Sequence, residues 1–170
     1  VPLHSIHYLD WIRSVLGNPT SVHCKSVKHP NLPNLADARS SIILQYEDDI
    51  RCCLSINHTH DNSSHGMKHS HAYARVEGLD GAAYIKFGLL LNYPNGEPEE
   101  IEISTKDTEW TKVKNVGTWF PDAFIGTMSS LQRYASGEEA ELTHSVDNAY
   151  NTMALVSVSY THLTLPTIYS

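Results

Sequence analysis

The sequence predicts an α+β domain: an open, mainly antiparallel sheet with helices packed on one face. Three observations predict it. A helical apolar period opens the chain. Between residues 20 and 116 it gives way to short alternating runs separated by tight turn signals, and the last third returns to helical spacing. Strands joined by tight turns run antiparallel, because parallel neighbours need crossovers of about a dozen residues or more. Helices that precede and follow the strands, rather than alternate with them, pack against one side of such a sheet.

Each element has its own signal. Ile6, Leu9, Ile12, Val15 and Leu16 recur at helical spacing. Ser5 is a candidate cap, and Gly17 followed by Pro19 marks the stop. Residues 20–28 alternate through Val22 and Cys24, and residues 29–34 are turn-rich. Residues 40–46 carry Ile42, Ile43 and Leu44, Glu47-Asp48-Asp49 turns the chain, and residues 50–57 return with Cys52, Leu54 and Ile56 on one face. Residues 71–76 and 82–87 form a second pair around Gly78-Leu79-Asp80-Gly81, with a further turn at Tyr93-Pro94-Asn95-Gly96. Residues 100–104 and 111–116 read as two more strands. Pro121 suits a first helical position and Asp122 the positive end of the helix dipole. Phe124, Ile125, Met128, Leu131 and Tyr134 then form one apolar face, ended by Gly137. Ser145 opens a last helix, expected to turn Val146, Ala149, Met153 and Val156 inward.

Composition excludes several classes. The chain has 170 residues, enough to bury about 70% of its unfolded surface in one core. With 41% hydrophobic and 18% charged residues it is not a disordered chain, and no apolar run reaches the ~18 residues of a membrane span. The net charge is −7 with scattered Lys and Arg, which disfavours nucleic acid or an anionic membrane as partner. Cys24, Cys52 and Cys53 have no framework spacing. Reduced thiols in a reducing compartment, the cytoplasm, are the expectation. The sequons at Asn57 and Asn62 matter only in a secreted protein, for which nothing else speaks.

The chain opens Val1-Pro2-Leu3 and runs straight into a helix pattern, so it reads as a piece of a longer protein whose targeting signals are not visible. Residues 1–158 read as one domain. Residues 159–170 break the helical pattern, resemble translated adaptor sequence and are expected to be a non-native tail.

No Gly-x-Gly, Gly-Lys-Ser/Thr, Gly-x-Ser-x-Gly or His-Glu-x-x-His occurs. Histidine is the anomaly: eleven in all, with His58, His60, His65, His69 and His71 close together. His58 and His60 are two apart at a strand end, so both rings can face one side and supply two Zn²⁺ ligands, with Asp61 or another loop histidine completing the set. The other reading is a polar loop of solvated imidazoles or of imidazoles that hydrogen-bond a substrate. His7 lies in the first helix beside Tyr8. An imidazole there can trade a proton near neutral pH or simply sit at a helix start.

Ser5-Ile6-His7-Tyr8-Leu9-Asp10-Trp11-Ile12-Arg13, ending Leu16-Gly17-Asn18-Pro19, resembles the start of the C-terminal domain of the Gfo/Idh/MocA family of NAD(P)-dependent oxidoreductases. The resemblance continues through Val76-Glu77-Gly78-Leu79-Asp80-Gly81-Ala82, Tyr93-Pro94-Asn95-Gly96-Glu97-Pro98 and Ser145-Val146-Asp147-Asn148-Ala149. It is clearest over Gly117-Thr118-Trp119-Phe120-Pro121-Asp122-Ala123-Phe124 and covers about residues 1–158.

The resemblance implies a two-part enzyme. An N-terminal Rossmann domain, missing from this chain, would bind NAD or NADP and supply a Lys. The present domain would hold a sugar- or polyol-like substrate and pack through its sheet face in a homo-oligomer. The reaction implied is hydride transfer at a carbinol carbon, with His7 matching the family's catalytic histidine. The family's Asp, four residues earlier, falls on Leu3, which leaves His4 or Asp10 as substitutes, or else a sugar-binding relative that has lost the chemistry. Tyr8, Tyr93, Trp119 and the His58/His60 strand end are the remaining candidate substrate-side residues, Trp119 having a core-anchoring role as its alternative. The chain by itself is expected to be inactive, to bind no NAD(P) and to expose apolar surface.

Overall fold

A computed structural model describes residues 2–28, 34, 39–47, 50–57, 72–92 and 94–161, the side chains of 2–4, 89–92, 160 and 161 excepted. The chain divides into two compact units, residues 1–64 with 143–170 and residues 65–142. Every strand pairing among the described residues is antiparallel, and three helices accompany the sheets, as the α+β reading expects.

The first unit is a helix pair on a three-stranded sheet. Helix α1 (Pro2–Leu16) is followed by β1 (Ser21–Val27), β2 (Arg39–Gln45) and β3 (Arg51–Asn57), ordered β1-β2-β3. Alternation decides which side is inside. Val22 and Cys24, then Ser40, Ile42 and Leu44, are buried, while Cys52, Leu54 and Ile56 are partly buried against them. The intervening His23, Ser41, Ile43 and Cys53 face outward, so the adjacent Cys52 and Cys53 fall on opposite sides as period-2 geometry requires. All three cysteines are free thiols. Helix α3 (Val146–Thr161) packs on α1 and β1, and Leu9, Ile12, Leu155 and Val156 complete the core. Burying each Leu or Ile stabilises the unit by roughly 1.5–3 kcal/mol.

Helix α3 starts as read and faces differently. Ser145 Oγ accepts the amide of Asn148 at 3.2 Å, a side-chain cap. Its buried face is Thr152, Leu155, Val156 and Ser159, whereas Val146, Ala149 and Met153 are exposed. The expected stripe misses because small polar residues fit at the helix contact once satisfied: Ser159 Oγ donates to Leu155 O at 2.9 Å. The helix also continues through Ser159 to Thr161, beyond the boundary expected at 158, while residues 162–170 lie outside the described residues.

The second unit holds β4 (Ala72–Glu77), β5 (Gly81–Phe87), β6 (Leu89–Asn92), β7 (Asn95–Glu97), β8 (Glu100–Thr105), β9 (Thr108–Lys112) and α2 (Ala123–Ser136). The sheet order is β4-β5-β8-β9, and β6-β7 is a separate hairpin among the described residues. Strand β9 begins three residues earlier than expected. The chain reverses at Lys106-Asp107, where Lys106 N donates to Asp80 O at 3.1 Å and Thr105 N to Thr108 Oγ1 at 3.1 Å. An irregularity between Ile103 and Thr105 absorbs the extra residue.

Helix α2 ends on Gly137, as read, in a left-handed conformation (φ 79°) that glycine adopts without penalty. It begins at Ala123, so Pro121 precedes the helix instead of opening it. The apolar stripe is real, yet Phe124, Ile125, Met128, Leu131 and Tyr134 are 45–66% exposed, and Ser130 is the buried residue.

Candidate functional site

Helix α1 carries His4, His7, Tyr8 and Asp10 within two turns. Ser5, Leu9 and Ile12 face the core, which turns His7 outward: it is exposed, Tyr8 half-buried and Asp10 exposed. Desolvation holds the Tyr8 hydroxyl above its usual range, so it stays a neutral donor at physiological pH. Positions 4, 7 and 10 are three apart and neighbour one another on the helix surface. His4 is placed by its backbone alone.

Asp10 is engaged in a polar clamp between α1 and α3. Its Oδ1 accepts from the Thr152 hydroxyl and, at 3.4 Å, from Arg13 Nη1. Arg13 Nη1 also donates to Thr152 Oγ1 and, at 3.3 Å, to Asn148 Oδ1, while its Nε donates to Asn18 Oδ1 at 2.8 Å. The Arg13 side chain is only 9% exposed. Sequence reasoning missed Arg13, Asn148 and Thr152. Their one signal was an arginine in the last turn of an otherwise apolar helix face.

In the second unit the segment leading into α2 is wired to its sheet. Trp119 is half-buried and meets Phe87 edge-on, centroids 5.7 Å apart at 69°. Phe120 N donates to Gly88 O at 3.3 Å. Asp122 Oδ2 accepts the amide of Thr118 at 2.8 Å. Lys86, next to the end of β5, donates to Glu97 at 3.0 Å and to Glu100 at 3.4 Å. Those bonds raise its pKa and keep it charged.

His58, His60 and Tyr93 lie outside the described residues. Among the described residues no three His, Cys, Asp or Glu side chains gather to hold a metal ion. Among them, too, no helix is long and apolar enough to cross a membrane. Among the described residues every strand pairing is antiparallel, and the chain has no Gly-x-Gly turn of the kind that lets a backbone approach a pyrophosphate.

No family model matches the chain, and no curated protein does. Solved structures do. The fold is similar to that of a Thermotoga maritima protein assigned as an oxidoreductase (TM-score 0.70, 14% identity, 94% of this chain and 43% of that one). It is similar to an Agrobacterium radiobacter oxidoreductase solved with NAD⁺, L-tartaric acid and magnesium (0.68, 16%, 94% and 45%). A Desulfitobacterium hafniense protein assigned as an NADPH-dependent oxidoreductase gives 0.70 at 13% identity, over 95% and 44%. At these identities the likeness establishes a shared fold. The chain spans less than half the length of the solved chains it matches.

Proposed function

We propose that this chain is the C-terminal, substrate-side domain of an NAD(P)-dependent oxidoreductase of the Gfo/Idh/MocA type, acting on a sugar, polyol or related carbohydrate. The observation that carries the reading is one of coverage. Oxidoreductase structures share this fold along 94–98% of the chain, while the chain accounts for 43–49% of theirs. One of these proteins was solved with NAD⁺ and another is assigned as NADPH-dependent, which supports NAD or NADP as the cofactor; in this reading a companion Rossmann domain binds most of it.

In this reading His7 is the catalytic residue. An exposed imidazole on a helix anchored by Leu9 and Ile12 can accept a proton from a carbinol hydroxyl and hold the developing charge. Within the first unit Tyr8 is a candidate apolar wall for a sugar C–H face, and within the second Trp119 is a separate candidate of the same kind. His4 and Asp10 remain the substitutes for the acid that Leu3 replaces, and His58, His60 and Tyr93 further substrate-side groups. A companion Rossmann domain and a second copy meeting the sheet face are the proposed partners, in the cytoplasm.

The test uses the protein carrying this chain together with its Rossmann half, assayed for NAD(P) reduction with a panel of sugars and polyols. His7→Ala is expected to cut turnover by about 10²-fold or more, with a smaller change in KM. Turnover within about threefold of the unaltered protein removes His7 from the chemistry.

A further inference from the structure

The entry into α2 is built in an unusual way. Asp122 occupies the N-cap position of α2, yet its carboxylate makes no cap hydrogen bond. The donors a cap would satisfy are taken by backbone: Phe124 N donates to Pro121 O at 3.1 Å and Ile125 N to Asp122 O at 2.9 Å. The carboxylate turns back instead. Its Oδ2 accepts the Thr118 amide at 2.8 Å and lies 3.3 Å from Thr118 Oγ1, which donates to Phe120 O at 2.9 Å. Gly117 makes room for this. Its φ is +92°, and a Cβ there would stand 3.1 Å from Asp122 Cβ and 3.3 Å from Oδ2. Phe120 N, bonded to Gly88 O, ties the same segment to the sheet.

We propose that Asp122 is a positioning residue: it fixes residues 117–121 so that Trp119, braced against Phe87, is presented in one orientation to a carbohydrate ligand. The proposal rests on the oxidoreductase reading above and adds to it the residue that sets the geometry of the indole. A helix that starts without its cap side chain leaves that side chain for other work. A charge-assisted bond to a backbone amide is among the stronger ways to order a short loop. Ordering the loop before ligand arrives removes an entropic cost from binding. Asn at position 122 keeps an acceptor for the Thr118 amide; Ala does not.

The test uses the protein carrying this chain together with its Rossmann half, labelled with 5-fluorotryptophan, the Trp119 resonance being assigned from Trp119→Phe. In Asp122→Ala the Thr118 amide should exchange at least about tenfold faster and the Trp119 signal should move toward that of free tryptophan, with far-UV helicity unchanged. Asp122→Asn should keep exchange within about threefold and hold the signal in place. Titration with myo-inositol and D-glucose should show affinity weakened at least about fivefold in Asp122→Ala and Trp119→Phe and retained in Asp122→Asn. Unchanged Thr118 exchange and an unmoved Trp119 signal in Asp122→Ala overturn the proposal. So does a loss of α2 helicity in that variant with the loop intact, which would make Asp122 a cap after all. If the loop depends on Asp122 but neither carbohydrate binds the unaltered protein, the positioning role stands and the carbohydrate reading fails.

Discussion

The two units spend their apolar residues in opposite ways. In the first, α1 and α3 lie on the inner face of β1–β3, and Leu9, Ile42 and Leu44 are essentially sealed from water. In the second, Phe87 is the one large apolar side chain that is buried among the described residues. Tyr84, Ile103 and Trp110 on the sheet, and the whole stripe of α2, stay a third to two-thirds exposed. The contrast separates two uses of amphipathic patterning: one stripe closes a core, the other remains open. A 14-residue helix gains little from propensity alone, so an exposed stripe on α2 adds little to its own stability.

Truncation should expose this contrast most sharply. Leu44→Ala or Ile42→Ala removes a sealed side chain and leaves a cavity, and is expected to cost about 2–5 kcal/mol in urea unfolding. Ile125→Ala on α2 should cost under about 0.5 kcal/mol, since the side chain is 66% exposed. Equal losses at the two positions would mean that the α2 stripe is packed in solution.

The same contrast shows what the sequence could and could not convey. Alternation around Ile42–Leu44 and Cys52–Ile56 identified the β2–β3 hairpin and its inner face, because in a strand the period itself states which side each residue takes. The α2 stripe was equally legible as a stripe, yet periodicity says which residues share a face and not whether anything lies against it. On α3 the reading failed for another reason. Thr152 and Ser159 are buried because each hydroxyl is satisfied: Ser159 bonds Leu155 O one turn back, while Thr152 bonds Asp10, and a partner about 140 residues away leaves no periodic trace. At the candidate site His7 was legible as a helical histidine, and its exposure follows from the apolar positions around it. Asp122 looked like an acid suited to the positive end of the helix dipole. The clue to its other use was a glycine and a threonine five and four residues before it, a spacing with meaning only once the loop is folded.

A medium effect is expected at the clamp that joins the helices of the better-packed unit. Arg13→Met keeps the length and apolar stem but deletes the donors to Asn148 and Thr152. Thr152 is 2% exposed, so the loss of its charged partner matters more than a surface ion pair would, about 1–3 kcal/mol. Thermal unfolding of Arg13→Met against Arg13→Lys checks this. Lysine, a point charge without the guanidinium fork, should recover part of the loss. No loss in either variant would show that apolar packing alone holds α1 on α3.

The smallest effect sharpens the comparison through pH. In the first unit burial raises the Tyr8 and Tyr46 hydroxyls and, first by burial and then by its neighbour Cys53, the Cys52 thiol. A raised acid holds its proton in the folded state at pH values where the unfolded chain has already released it. Stability from these groups is therefore complete below the unfolded pKa and is lost as pH climbs through the folded one, an alkaline window beginning near 9 for Cys52 and near 10 for the tyrosines. Among the described groups of the second unit the raised pKa is that of Lys86, set by hydrogen bonds to Glu97 and Glu100. Melting temperature should fall between pH 8 and pH 11, and fall less in Tyr8→Phe, by a shift smaller than either substitution above produces. If Tyr8→Phe follows the unaltered protein across that range, the Tyr8 hydroxyl is as well solvated folded as unfolded, and α1 is less tightly seated on its sheet than the burial of Leu9 and Ile12 requires.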